Sequence, residues 1–116
     1  MTMTTIPTPL QTWLEVCALA TEAARRDLTR PGIDTAAHSL ALGAELVACQ
    51  AQGLLDVEAA RLVDDVVLPA EVRVLDVAGL LRAAEAATRR RPIEQLPVGA
   101  SAVIVALGDL IAETCA

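Results

Sequence analysis

The sequence predicts an all-α fold: a single compact bundle of about five helices. Residues 1–7 form a flexible N-terminal arm and residues 8–116 form the bundle domain. Three observations predict it. Apolar residues recur at helical spacing through most of the chain. Most of these runs open on a capping side chain or close on Gly or Pro. Hydrophobic residues make up 54% of the 116 positions, which is enough for one packed core.

The first helix is expected over "TPLQTWLEVCALATEAARRDLTRPG". Thr8 is its N-cap, Pro9 suits the first helical position and Pro31-Gly32 ends it. Gln11, Glu15, Glu22 and Arg26 share a polar face; Leu10, Trp13, Leu14, Cys17 and Ala24 line the apolar one. The second helix starts at a capping Asp34 and stops at Gly53. His38, Glu45 and Gln52 fall seven apart and make one narrow polar stripe. The rest of this helix, Cys49 included, is expected to be buried, with Gly43 and the alanines allowing close approach of its neighbours. The third helix, "DVEAARLVDDVVLP", is capped by Asp56, and Glu58, Arg61 and Asp65 are spaced for pairing on a wet face.

The fourth helix is expected to run unbroken through "AEVRVLDVAGLLRAAEAATRRR", with Arg89 to Arg91 complementing its dipole. "VRVLDV" alternates like a strand, but helix-favouring stretches flank it. On a continuous wheel Val77 and Leu80 fall beside Arg73 and Asp76, an apolar strip on the wet side. After the connector "PIEQLP" a fifth helix begins at about Val98. From Val98 to Leu107 nearly every side chain is apolar. At about 1.5 Å per residue this run reaches only half of a hydrocarbon core roughly 30 Å thick, so no membrane span is expected.

The fifth helix has a core face of Ala100, Val103, Ile104, Leu107, Leu110 and Ile111. A second, small-residue stripe holds Ser101, Val105, Gly108, Ala112 and Cys115, and Val98 and Ala102 extend the apolar surface. A helix apolar on nearly all sides sits at a bundle centre or at an interface. Two such helices strain one small core. The contact surface expected for a partner is therefore Val77, Leu80, Val98, Ser101, Ala102, Val105, Gly108 and Ala112.

Composition narrows the setting. Net charge is −6, which disfavours general affinity for nucleic acid or anionic membrane. Every basic residue is Arg; Lys, Asn, Phe and Tyr are absent. Their codons are AT-rich, so the pattern points to a GC-rich bacterial or phage genome. Met1 to Pro9 has no basic n-region, so no signal peptide is expected. Cys17, Cys49 and Cys115 lack CxxC spacing and read as free thiols in a reducing cytoplasm. No metal or cofactor is expected. His38 is the lone histidine, and Asp64-Asp65 are sequence neighbours that do not converge on one point, so no catalytic constellation is expected either.

Two stretches resemble known families. Glu58-Ala59-Ala60-Arg61-Leu62, followed by Val72, Arg73, Leu75, Gly79, Leu80 and Leu81, is similar to the start of excisionase-like and MerR-like winged helix-turn-helix domains. That resemblance implies a DNA-binding regulator with a degenerate helix-turn-helix at residues 55–82. Against the family pattern the turn carries extra residues, Glu71 and Asp76 accompany Arg73 in the recognition position, and no β-wing follows Gly79. "HSLALGAEL" is similar to the carrier-protein "DSL" site, with His38 in place of Asp and Ser39 inside the helix rather than at its mouth. The reading that best fits the whole chain is a non-catalytic, homo-oligomeric interaction protein; the DNA-binding regulator is the alternative.

Overall fold

Thr8 opens the first helix with a reciprocal cap. Its Oγ1 accepts from the Gln11 backbone N–H at 3.1 Å, and its own N–H donates to Gln11 Oε1 at 2.9 Å. Helix α1 (Pro9–Arg26) follows. The structure, a computed structural model, describes residues 8–26 and 35–114. The expected arm, the Pro31-Gly32 stop, the Asp34 cap and Cys115 lie outside the described residues.

The remaining elements are α2 (Thr35–Gly53), α3 (Val57–Arg61), a 3-10 turn (Leu62–Asp65), α4 (Ala70–Arg73), α5 (Val77–Thr88), a second 3-10 turn (Ile93–Gln95) and α6 (Ala100–Thr114). The fold is all-α, as the spacing predicts, and the elements share one core. Asp56 caps α3 as expected, accepting from Ala59 N–H at 2.7 Å. However, α3 tightens into the 3-10 turn after Arg61, and Glu58, Arg61 and Asp65 form no ion pair with one another.

The expected fourth helix is broken in two. Asp76 leaves the helical conformation (φ −77°, ψ −179°), and its Oδ1 accepts from Gly79 N–H at 2.8 Å. It is an N-cap, not a residue of a helix face. The break resets the phase of the downstream wheel. Val77 and Leu80, expected on the wet side, turn inward: Leu80 is fully buried and Val77 is 9% exposed. At the far end α5 stops at Thr88, so Arg89 to Arg91 lie in the following turn.

The centre of the bundle is α1 rather than the expected second helix. Helix α1 packs against both α2 and α5, and Thr12, Trp13, Leu14 and Val16 through Ala20 are all buried. Trp13 is fully buried, and its indole N–H donates to the Ala51 carbonyl of α2 at 2.9 Å, which satisfies its polar atom inside the core. On the other side Arg90 ties α5 to α1 through Glu15 at 2.6 Å. Helix α6 packs on α5 and α2 through Ala100, Val103 and Leu107. A Cβ at Gly43 of α2 would overlap Leu110 Cδ2, so the missing side chain is what lets α2 and α6 meet there. Gly99 precedes α6 with φ +96°, a left-handed conformation suited to glycine, and Leu54 closes over it.

Candidate functional site

The two helices packed at Gly43 and Leu110 each leave an outer face in water. On α6, Ser101, Ala102, Val105, Gly108 and Ala112 are exposed, Val105 at 61%; just before the helix Val98 is 97% exposed. Val98 stands ahead of the helix, beyond Gly99, and within the helix the spacing alternates four and three from Ser101 through Val105 and Gly108 to Ala112. That is the repeat of a helix-packing seam. A Cβ at Gly108 would meet nothing within 4 Å, so this seam is open.

On α2, Leu42 and Leu46 stand one turn apart and are 50% and 68% exposed. The sequence reading missed both because it placed most of this helix in the core. The Gly43–Leu110 and Leu54–Gly99 contacts run α2 and α6 antiparallel. Leu42 lines the groove between α2 and α1, and Leu46 stands exposed one turn further along α2. Of the partner residues read from the sequence, the structure gathers Ser101, Ala102, Val105, Gly108 and Ala112 on the outer side of α6 and leaves Val98 exposed ahead of the helix. It withdraws Val77 and Leu80 into the core. The available signal for Leu42 and Leu46 was their one-turn spacing beside the His38–Glu45 polar stripe.

The groove between α1 and α2 that Leu42 lines has a volume of about 270 Å³. Alanines 24, 41 and 48 lie along it, with His38, Glu45 and Cys49 at its rim. His38 is exposed, as expected; Cys49 is also exposed, which corrects the expectation that it is buried. Eleven residues separate His38 from Cys49, a rise of about 16 Å along the helix, so the two cannot act as a nucleophile–base pair. Cys17 is the opposite case: it has no exposed surface, and burial pushes its thiol up to about 12. Among the described residues no group of three or more His, Cys, Asp or Glu side chains is placed to hold a metal ion. No helix among them is long and apolar enough to cross a membrane.

The helix-turn-helix geometry implied by residues 55–82 is not assembled. An extended stretch separates the first 3-10 turn from α4, and the break at Asp76 divides the would-be recognition residues between α4 and α5. Leu80 and Leu81 are fully buried. The basic run is also engaged: Arg89 pairs with Glu85 at 2.6 Å, Arg90 with Glu15, and Arg91 donates to Gln95 Oε1 at 3.0 Å.

No protein-family model, curated protein or solved structure matches the chain. The functional reading therefore rests on the surface itself.

Proposed function

We propose that this chain is a non-catalytic protein-interaction module that works through the outer face of α6 and the adjoining edge of α2. One observation carries the reading: Val105, 61% exposed, stands on an outer face of α6 made otherwise of exposed Ser101, Ala102, Gly108 and Ala112, and the neighbouring helix α2 exposes Leu42 and Leu46. Contiguous apolar surface of this kind is a mark of a contact site, whereas isolated exposed residues such as Val74 are ordinary. The small side chains of Ser101, Ala102, Gly108 and Ala112 let another helix approach closely. Self-association is the simplest use of the face in the isolated protein. The free thiols of Cys17 and Cys49 suit a reducing, cytoplasmic setting.

Light scattering at micromolar protein is expected to give a mass above the 12.1 kDa of one chain. Val105→Glu should lower that mass without changing the helical circular dichroism, because the new carboxylate faces water in the monomer. Val74→Glu should leave it unchanged. For a foreign partner, a photocrosslinker at position 105 should capture a protein that Leu46→Glu loses and that a crosslinker at position 74 does not take. A monomer that also gives no product specific to position 105 overturns the proposal.

A further inference from the structure

Helix α6 carries an electrostatic conflict in its C-terminal half. Asp109 and Glu113 stand one turn apart on its exposed side, a spacing at which like charges repel. They also occupy its C-terminal half, where the helix dipole favours cations, and its last turn holds no basic residue. Three acids of the other helices are paired, Glu22 with Arg26, Glu85 with Arg89 and Glu15 with Arg90, whereas Glu45, Glu58 and Glu71 form no ion pair among the described residues. Among the described residues neither Asp109 nor Glu113 has an ion-pair partner. Helices α2 and α6 contain no Lys or Arg. Arg82 of α5 approaches this end of α6, but its Nη2 donates to Thr114 Oγ1 at 3.1 Å.

These carboxylates border the apolar face. Asp109 lies one turn beyond Val105, and the antiparallel Gly43–Leu110 contact sets both acids near the Leu42 end of α2. The face is thus apolar along its length and acidic at one end. We propose that it binds the apolar side of a basic amphipathic helix from another protein, whose Lys or Arg residues pair with Asp109 and Glu113. This rests on the reading of the face as an interaction surface and names its preferred partner. A second copy offers the same apolar seam but brings no cation from it. Nucleic acid or anionic lipid would meet the two carboxylates with like charge.

The probe is a synthetic amphipathic helix with Leu at the seam positions and Lys on its flanks, paired with the same peptide carrying Glu in place of Lys. Binding is followed by amide chemical shifts of the full chain. The Lys peptide should shift α6 and the Leu42–Leu46 turn of α2, and the Glu peptide should not bind. Asp109→Asn combined with Glu113→Gln should weaken the Lys peptide about fivefold, the effect of two exposed ion pairs, and added salt should do the same. Equal binding of both peptides, insensitive to the double substitution, overturns the charge inference and leaves the interaction face standing. Shifts confined to Glu58, Asp64 and Asp65 mean adsorption to an acidic surface and overturn it too. If neither peptide shifts α6, the inference and the proposed interaction face fall together.

Discussion

Helices α1 and α6 are both rich in apolar residues, and they end in opposite environments. In α1 seven of the eight residues from Trp13 to Ala20 are buried, and the eighth, Glu15, pairs with Arg90. In α6 only Ala100, Val103 and Leu107 are buried, although its composition is the more uniformly apolar. The difference lies in side-chain volume and position. Trp13, Leu14 and Leu19 are large, buried and spread around α1, and α5 and α2 both pack on that helix. The outer side of α6 offers Ser, Ala and Gly, whose burial within the monomer would remove little apolar surface from water. Apolar content predicts that a helix has a buried face; it does not predict how many faces.

That contrast breaks most sharply at Trp13. Trp13→Ala removes a fully buried ring together with its hydrogen bond to Ala51, and it should destabilise the protein by about 3–5 kcal/mol in urea unfolding. Val105→Ala, on the open side of α6, should change stability by no more than about 0.5 kcal/mol in the monomer. Comparable losses from the two substitutions would mean that α6 is as deeply packed as α1 in solution, covered by an assembly that persists until unfolding.

The fold class was legible in the sequence because helical periodicity and caps such as Thr8 and Asp56 are local signals. The core face of α6 was legible for the same reason: Ala100, Val103 and Leu107 follow one stripe. What failed was the phase across Leu75 and Asp76. Apolar spacing stays helical through that point, so the capping preference of Asp76 was outweighed, and every wheel position assigned downstream was rotated. Val77 and Leu80 were misplaced by that one error. The ranking of the two Ala-rich helices α1 and α2 was not a local property at all. It depends on α5 covering α1, a contact between segments more than fifty residues apart in sequence. Leu42 and Leu46 were lost with it.

The cysteines sharpen the same contrast through pH. In the folded chain burial holds the Cys17 thiol protonated up to about 12, whereas an unfolded cysteine ionises near about 8.5. A folded pKa above the unfolded one gives stability that is fully present below the unfolded value and is lost as pH rises toward the folded one. The expected loss is up to about 1.4 kcal/mol per pH unit across that window. The chain has no Lys and no Tyr, so no other side-chain type apart from the remaining cysteines titrates there. Urea unfolding repeated at rising alkaline pH should show this slope in the native sequence and lose it in Cys17→Ala. An alkylating reagent should modify exposed Cys49 in the native protein and reach Cys17 only after unfolding. An unchanged slope in Cys17→Ala would detach the alkaline sensitivity from the core of α1.

The smallest effect separates the two sides of the α2–α6 pair, and it comes from two glycines. Gly43 lies at the closed side, where Leu110 already occupies the space a side chain would take. Gly43→Val must push Leu110 away and should destabilise by about 1–3 kcal/mol, the usual range for overpacking. Gly108 lies inside α6 on the open side, with nothing near its missing Cβ. There Gly108→Ala brings no clash and removes the conformational penalty of a mid-helix glycine, so it should stabilise the monomer by about 0.5–1 kcal/mol. The gain in monomer stability has a counterpart in assembly. If a helix packs against Gly108, the added methyl thickens the seam where the partner approaches, so Gly108→Ala should weaken binding while it raises the melting temperature. Melting curves at low concentration, read beside scattering mass at high concentration, distinguish the two consequences. A variant that is more stable and assembles as well as the native chain would remove Gly108 from the contact and leave Leu42, Leu46, Val98 and Val105 to carry it.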